Sequence, residues 1–251
     1  MSLWRVERLR LLRTGRWIAL AAVFLLLGLG EPIATRYLGE LLRGATGSGY
    51  IHITVTRPQP SDGMAAYFDN ITTLGTLVTV VIAGLAFALR ANPPLAALYL
   101  THVPNRVALL LPRLLTVAVA AAAASALGGV AAAYETTLLL GAPPAGATVA
   151  GVLVSSLGTV FVVAVTFLVA TLLRGQVATI AVALGAVFVA VPFANLVPGV
   201  RDVGPDAFTA LPQRLQLSPW TGDDTWSTVV VLGLIAACVA AGLYRSSRWE
   251  L

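Results

Sequence analysis

The chain has 251 residues, 58% of them hydrophobic and 11% charged, with a formal net charge of +5 and a mean hydropathy of +0.87. Soluble domains carry about 25% charged residues, so this is the composition of a membrane chain, and its charge is read by placement rather than by size. Every basic residue is arginine, which excludes a phosphate-loop lysine and a Schiff-base lysine; the single cysteine, Cys238, lies in an apolar run as a small packing residue, which excludes a disulfide framework and a cysteine metal site.

Residues 1–16 gather Arg5, Arg8, Arg13 and Arg16 on one side of a helix, with Trp4 and Trp17 elsewhere. An interfacial helix along the inner leaflet fits this charge and these tryptophans, while a positive flank that only sets topology fits the charge alone. The first transmembrane helix is expected at 17–38. Its charged lead is too long for a removable signal peptide, and Glu31-Pro32 interrupts any cleavage box. Ile51, Ile53 and Val55 then alternate with His52, Thr54 and Thr56, the period of a short half-buried strand, before Pro58 and Pro60 break it. The second span is expected at 70–90, opened by Asp69 or Asn70 as a helix cap.

Between the second and third spans, Asn92 can cap a helix whose first turn holds Pro93 and Pro94, where a missing backbone N–H costs little. Pro104 stops it. The helix is about ten residues, about 15 Å long, too short to cross a bilayer. Leu95, Leu98, Tyr99 and His102 share one face, flanked by Arg90 and Arg106. A groove on a partner protein and the lipid headgroups both suit that face. Further spans are expected at 107–140, 147–173, 177–197 and 226–244. Ahead of the last, Pro198, Pro205, Pro212 and Pro219 punctuate apolar patches at Phe208, Leu211, Leu215 and Leu217. One or two short helices resting on the outer face, or re-entering it, account for those patches, and a plain extracellular loop is the alternative.

An N-terminus inside the cell puts Arg5, Arg8, Arg10, Arg13, Arg16, Arg90, Arg106, Arg113, Arg174, Arg245 and Arg248 on the cytoplasmic side. Arg36, Arg43, Arg57, Arg201 and Arg214 are left outside. The positive-inside rule therefore places both termini in the cytoplasm. The fold class expected is all-α integral membrane: a single transmembrane domain over 1–251, with six transmembrane helices, an N-terminal interfacial elbow, a short cytoplasmic helix and short extracellular helices before the last span.

This layout, an arginine-rich elbow, the outer segment RPQPSDGMAAYFDN, the linker NPPLAALYLTHVPNR, the short turn LLRGQVATIAVAL and the tail LYRSSRWEL, resembles the membrane subunits of type-two ABC exporters. The resemblance covers essentially the whole chain as layout, and each piece alone is a loose pattern. It implies a bacterial cell-membrane permease, a homodimer or a heterodimer with a second permease, carried by two cytosolic ABC ATPase subunits. ATP and magnesium would sit on those subunits, with no cofactor, metal, catalytic residue or nucleic acid on this chain. It further implies that Pro93, Pro94, Leu95, Leu98, Tyr99 and His102 form a coupling helix, with Arg106 offered to an acidic rim, and that the segment after Pro198 helps close an outer gate, which makes Phe208 a candidate.

Glu31 and Glu135 are acids within or near spans, a placement that usually marks function. Each is a candidate for the translocation path, with the outer headgroups, Arg36 or Arg43 as other destinations. Gly128, Gly129 and the run Ala118 to Ala124 let the third span pack closely on its neighbours. The competing class is an ion-driven secondary transporter without an ATPase, which would favour acids at the midplane and an inverted repeat.

Overall fold

The computed structural model describes residues 3–45, 58–88, 106–194, 196 and 201–247. Among them the chain is helical, with no strand; the expected strand at 51–56 and short helix at 93–102 lie outside the described residues. In chain order the elements are α1 (Leu3–Arg13), α2 (Arg16–Ala45), α3 (Pro60–Phe87), α4 (Arg106–Leu139), α5 (Ala145–Leu172), α6 (Gln176–Ala194), α7 (Pro205–Arg214) and α8 (Gly222–Ser247). Six of these, α2 to α6 and α8, contain stretches long and apolar enough to cross a membrane, as a multi-pass membrane protein requires. Hydrocarbon offers no partner to a backbone N–H or C=O, so a spanning segment must satisfy its own groups as a helix.

Two glycines set direction changes. Gly15, at φ 63°, separates α1 from α2, and Gly141, at φ 106°, ends α4. Both conformations favour a residue without Cβ. The six spans alternate in direction, so α1, the α5–α6 turn and the end of α8 share one end of the bundle, and α7 lies at the other.

Helix α3 begins at Pro60, ten residues ahead of the expected start at 70. Asp69 and Asn70 are therefore not caps: Asn70 lies inside the helix and donates its side-chain amide to Ala66 O. The start is set by Gln59 and Asp62, whose carboxylate accepts the Gln59 N–H at 2.7 Å, while Pro60 occupies a first-turn position where its missing N–H is harmless. The early turns then bury Met64, Tyr67 and Phe68 completely or nearly so. Mean hydropathy over this segment is diluted by Ser61, Asp62 and Gly63, which hides a helix whose apolar residues lie on one buried face.

About half of the most apolar windows of α3, α4 and α5 is buried, 56%, 50% and 56%, against 22%, 11% and 17% for α2, α6 and α8. The core is thus an α3–α4–α5 layer, with α2 and α8 laid against it and α6 at the edge. Small residues allow the close crossings. A Cβ on Gly128 would come within 2.5 Å of Phe24 O in α2, and Gly28 approaches Gly128 O from the other side. Gly129 meets Val152 of α5 in the same way. Tyr67 Oη donates to Ser125 O at 2.9 Å, a bond between α3 and α4 in the buried core.

Candidate functional sites

At the α1 end, two bonds join the N-terminal segment to the helices from which residues 89–105 depart. Glu7 of α1 accepts from Arg113 Nε at 3.2 Å. Arg113 is 2% exposed and Glu7 6%, so this is a buried ion pair, reinforced by Arg10 Nη1 at 3.6 Å from the other Glu7 oxygen. Burial pushes the Glu7 carboxyl above its ordinary range, and Arg10 pulls it partly back. At the start of α2, Arg16 Nη1 donates to Leu85 O at 3.2 Å, in the last turn of α3. The root of the linker on α3 is thereby tied to α2, and its root on α4 to α1.

The positive-inside count placed Arg113 with the cytoplasmic charges and gave it no partner. A signal existed: Glu7 is the one acid in an arginine-rich segment, and Arg113 stands seven residues inside an otherwise apolar helix, where a cation needs a partner. Of the residues assigned to coupling, Pro93, Pro94, Leu95, Leu98, Tyr99 and His102 lie outside the described residues. Arg106 is the first residue of α4.

At the α7 end, α7 is held by ion pairing and burial. Arg214 in its last turn pairs with Asp224 in the first turn of α8. Asp224 also accepts the Thr221 N–H at 2.7 Å and its hydroxyl at 2.9 Å, capping α8. Gln216 donates to Ala147 O at 3.2 Å, tying the end of α7 to the first turn of α5. Phe208 is 1% exposed and packs with Val154, Phe161, Leu211, Leu215 and Val231. The apolar residues noted after Pro198 therefore include a face that packs inward on α5 and α8.

Glu31 and Phe208 belong to different neighbourhoods. Glu31 is half-buried and faces Asn70 and Asp69 of α3. Glu135 is half-buried on α4, next to Thr136, which meets Gly63 of α3.

Beside Phe208 lies a cavity of about 230 Å³ between α3, α5, α6 and α7. Two π-helical turns border it. In α3 the Thr76 N–H reaches Ile71 O, and in α6 the Val191 N–H reaches Ala186 O. Each turn accommodates an extra residue and widens the helix at a site where such insertions are often functional. Hydropathy does not register a π turn, because it changes the winding and not the composition.

No protein-family model matches the chain, and no curated protein matches it.

Proposed function

We propose that this chain is the permease subunit of an ATP-driven exporter of the type-two ABC kind, forming the path across a bacterial cell membrane and drawing energy from separate ATPase subunits. It works as a dimer with itself or with a second permease, on two cytosolic ATPases that hold ATP and magnesium. The chain supplies no catalytic residue. Both termini and residues 89–105 lie in the cytoplasm, where arginines are retained.

The observation that carries the reading is the tying of the last turn of α3 to α2, and of α4 at Arg113 to α1, in the two helices that flank residues 89–105. Nucleotide binding draws the ATPases together, and a helix of 93–102 seated in them moves as they do. Arg16 on Leu85 O and Glu7 on Arg113 couple the roots of that linker to α1 and α2. A displacement there is passed to packed spans as a rigid-body change rather than absorbed in a loose loop. An interfacial seat for α1 is supported by Trp4, Leu12 and Trp17, which are exposed beside an apolar groove of about 510 Å³ between α1, α2 and α4. Lipid chains suit such a groove. In this reading α7, with Phe208 at its buried face, braces the outer end, and Glu31 and Glu135 stand toward that end.

Affinity purification of the tagged chain from its native membrane, beside a Leu98→Asp, Tyr99→Asp double variant with normal insertion, tests the reading. An ATPase that accompanies the wild type and is lost from the variant supports it. Absence of any ATPase in detergents that preserve complexes refutes it and turns attention to an ion-driven transporter.

A further inference from the structure

The groove between α1, α2 and α4 is apolar along its length and charged at one end. It is lined by Trp4, Arg8 and Leu12 of α1, by Trp17 and Ala21 of α2, and by a stripe of α4 from Leu115 to Leu127. That stripe covers about 18 Å at a helical rise of about 1.5 Å per residue, close to the roughly 15 Å of hydrocarbon in one leaflet of a bilayer core about 30 Å thick. On α4, Leu115, Val119 and Leu127 are exposed, and the alanines at 120, 123 and 124 between them keep the floor low. The slot thus runs from the level of α1 to about the depth that an acyl chain reaches.

Arg8 is the one charged residue in the described lining. Among the described residues, the ion pairs at this end join Glu7 to Arg10 and to Arg113, so Arg8 and its α1 neighbours Arg5 and Arg13 have no acidic partner. All three are exposed. A second copy of the chain in the same membrane presents this same end. The one described acid there is Glu7, which is buried and already paired, because Glu31, Asp62, Asp69, Glu135 and the acids from Asp202 to Asp224 stand toward the other end. Charge therefore argues against a second copy over this groove. A phosphate supplies what the protein does not: a guanidinium binds its oxygens through paired N–H donors. Trp4 and Trp17 hold the same level, where indoles favour the headgroup region.

From these features we infer that the groove binds one anionic phospholipid of the leaflet at the α1 end, with its phosphate on Arg8 and one acyl chain laid along α4 toward Leu127. A zwitterionic lipid offsets its phosphate with its own ammonium, whereas an anionic lipid keeps the charge that the unpaired arginines lack. The site rests on α1 lying at the membrane surface and does not depend on an ATPase partner.

The test uses the full chain in phosphatidylcholine nanodiscs containing a small fraction of phosphatidylglycerol with a photoreactive diazirine in one acyl chain, and adducts are mapped by mass spectrometry. A phosphatidylcholine carrying the same diazirine chain is the comparison. The expected result is labelling of residues within 115–127 that unlabelled phosphatidylglycerol competes away, at least fivefold stronger for the anionic probe. An arginine beside an anionic lipid surface is worth about fivefold in affinity, so Arg8→Gln should lower the anionic labelling about fivefold. Arg245→Gln, which removes an exposed positive charge at the same end but outside the groove, should leave it unchanged. Ala123→Phe should abolish labelling of the groove, because Ala123 is exposed and a larger side chain there enters the slot rather than the core. Equal labelling by the two probes overturns the assignment and leaves an ordinary lipid-facing surface. An equal loss in Arg8→Gln and Arg245→Gln overturns it in favour of a diffuse surface charge, and a groove that takes no label but crosslinks to a second copy overturns it in favour of a protein interface. If a variant does not fold, the comparison of the two probes on the wild type decides alone.

Discussion

Removing one partner of the Glu7–Arg113 pair has unequal consequences depending on which partner goes. Both side chains are buried, at 6% and 2% exposure, and losing one member of such a pair typically costs about 3–5 kcal/mol, because a charge is left buried and unpaired. An arginine cannot escape by deprotonating, so Glu7→Leu leaves the full penalty on Arg113, about 3 kcal/mol or more against the docking of α1. In Arg113→Met, Glu7 retains Arg10 at 3.6 Å and can take up a proton. The cost is therefore expected to be smaller than that of Glu7→Leu. The double replacement Glu7→Leu, Arg113→Met is close to neutral, since both desolvated charges leave together.

The readouts are thermal unfolding in mild detergent and the rate of tryptic cleavage at Arg5 and Arg8, which reports detachment of α1. The linkage has a definite sign. A carboxyl whose folded pKa lies above its ordinary 4.5 binds more protons in the folded state, so its penalty is full at high pH and is relieved as pH falls through the folded value toward 4.5. Removing Arg113 raises that folded value further. Tryptic cleavage of Arg113→Met should therefore slow on acidification, after correction for the enzyme's own pH dependence. The reasoning is refuted if Arg113→Met is more damaging than Glu7→Leu, or if the double variant is as unstable as the sum of the singles.

At the α2–α4 crossing, Gly128→Ala should lower stability by about 2 kcal/mol or more, because its Cβ would meet main-chain oxygen at 2.5 Å. Gly146→Ala, in open space, should leave the melting temperature unchanged. Asp224→Asn removes the partner of the half-exposed Arg214 and weakens the α8 cap; about 1 kcal/mol is expected, with earlier proteolysis around 214–221 as the local sign. Tyr67→Phe deletes the bond to Ser125 O and should cost only about 0.6–1 kcal/mol by denaturant titration, the scale of an interhelical hydrogen bond in a membrane.

The sequence by itself determined that the chain crosses a membrane as helices, because long apolar runs leave a backbone in hydrocarbon with no other way to satisfy its polar groups. It also marked the polar segments between the spans and the charged residues that need an explanation. The beginning of α3 was not legible, since mean hydropathy averages over Ser61, Asp62 and Gly63 and overlooks the single buried face of Met64, Tyr67 and Phe68. Nor were the partners. Glu7 and Arg113 are 106 positions apart, and whether they meet depends on how α1 folds back at Gly15 and how α4 is rotated about its axis. The cavity beside Phe208 is likewise a product of tertiary structure: in the sequence its threonines and serine look like ordinary polar residues. Only packing of α3, α5, α6 and α7, with a π turn of α3 and one of α6 at its border, places them around a common space. Hydropathy is a property of each residue against its solvent, whereas pairing and cavities are properties of helices against each other.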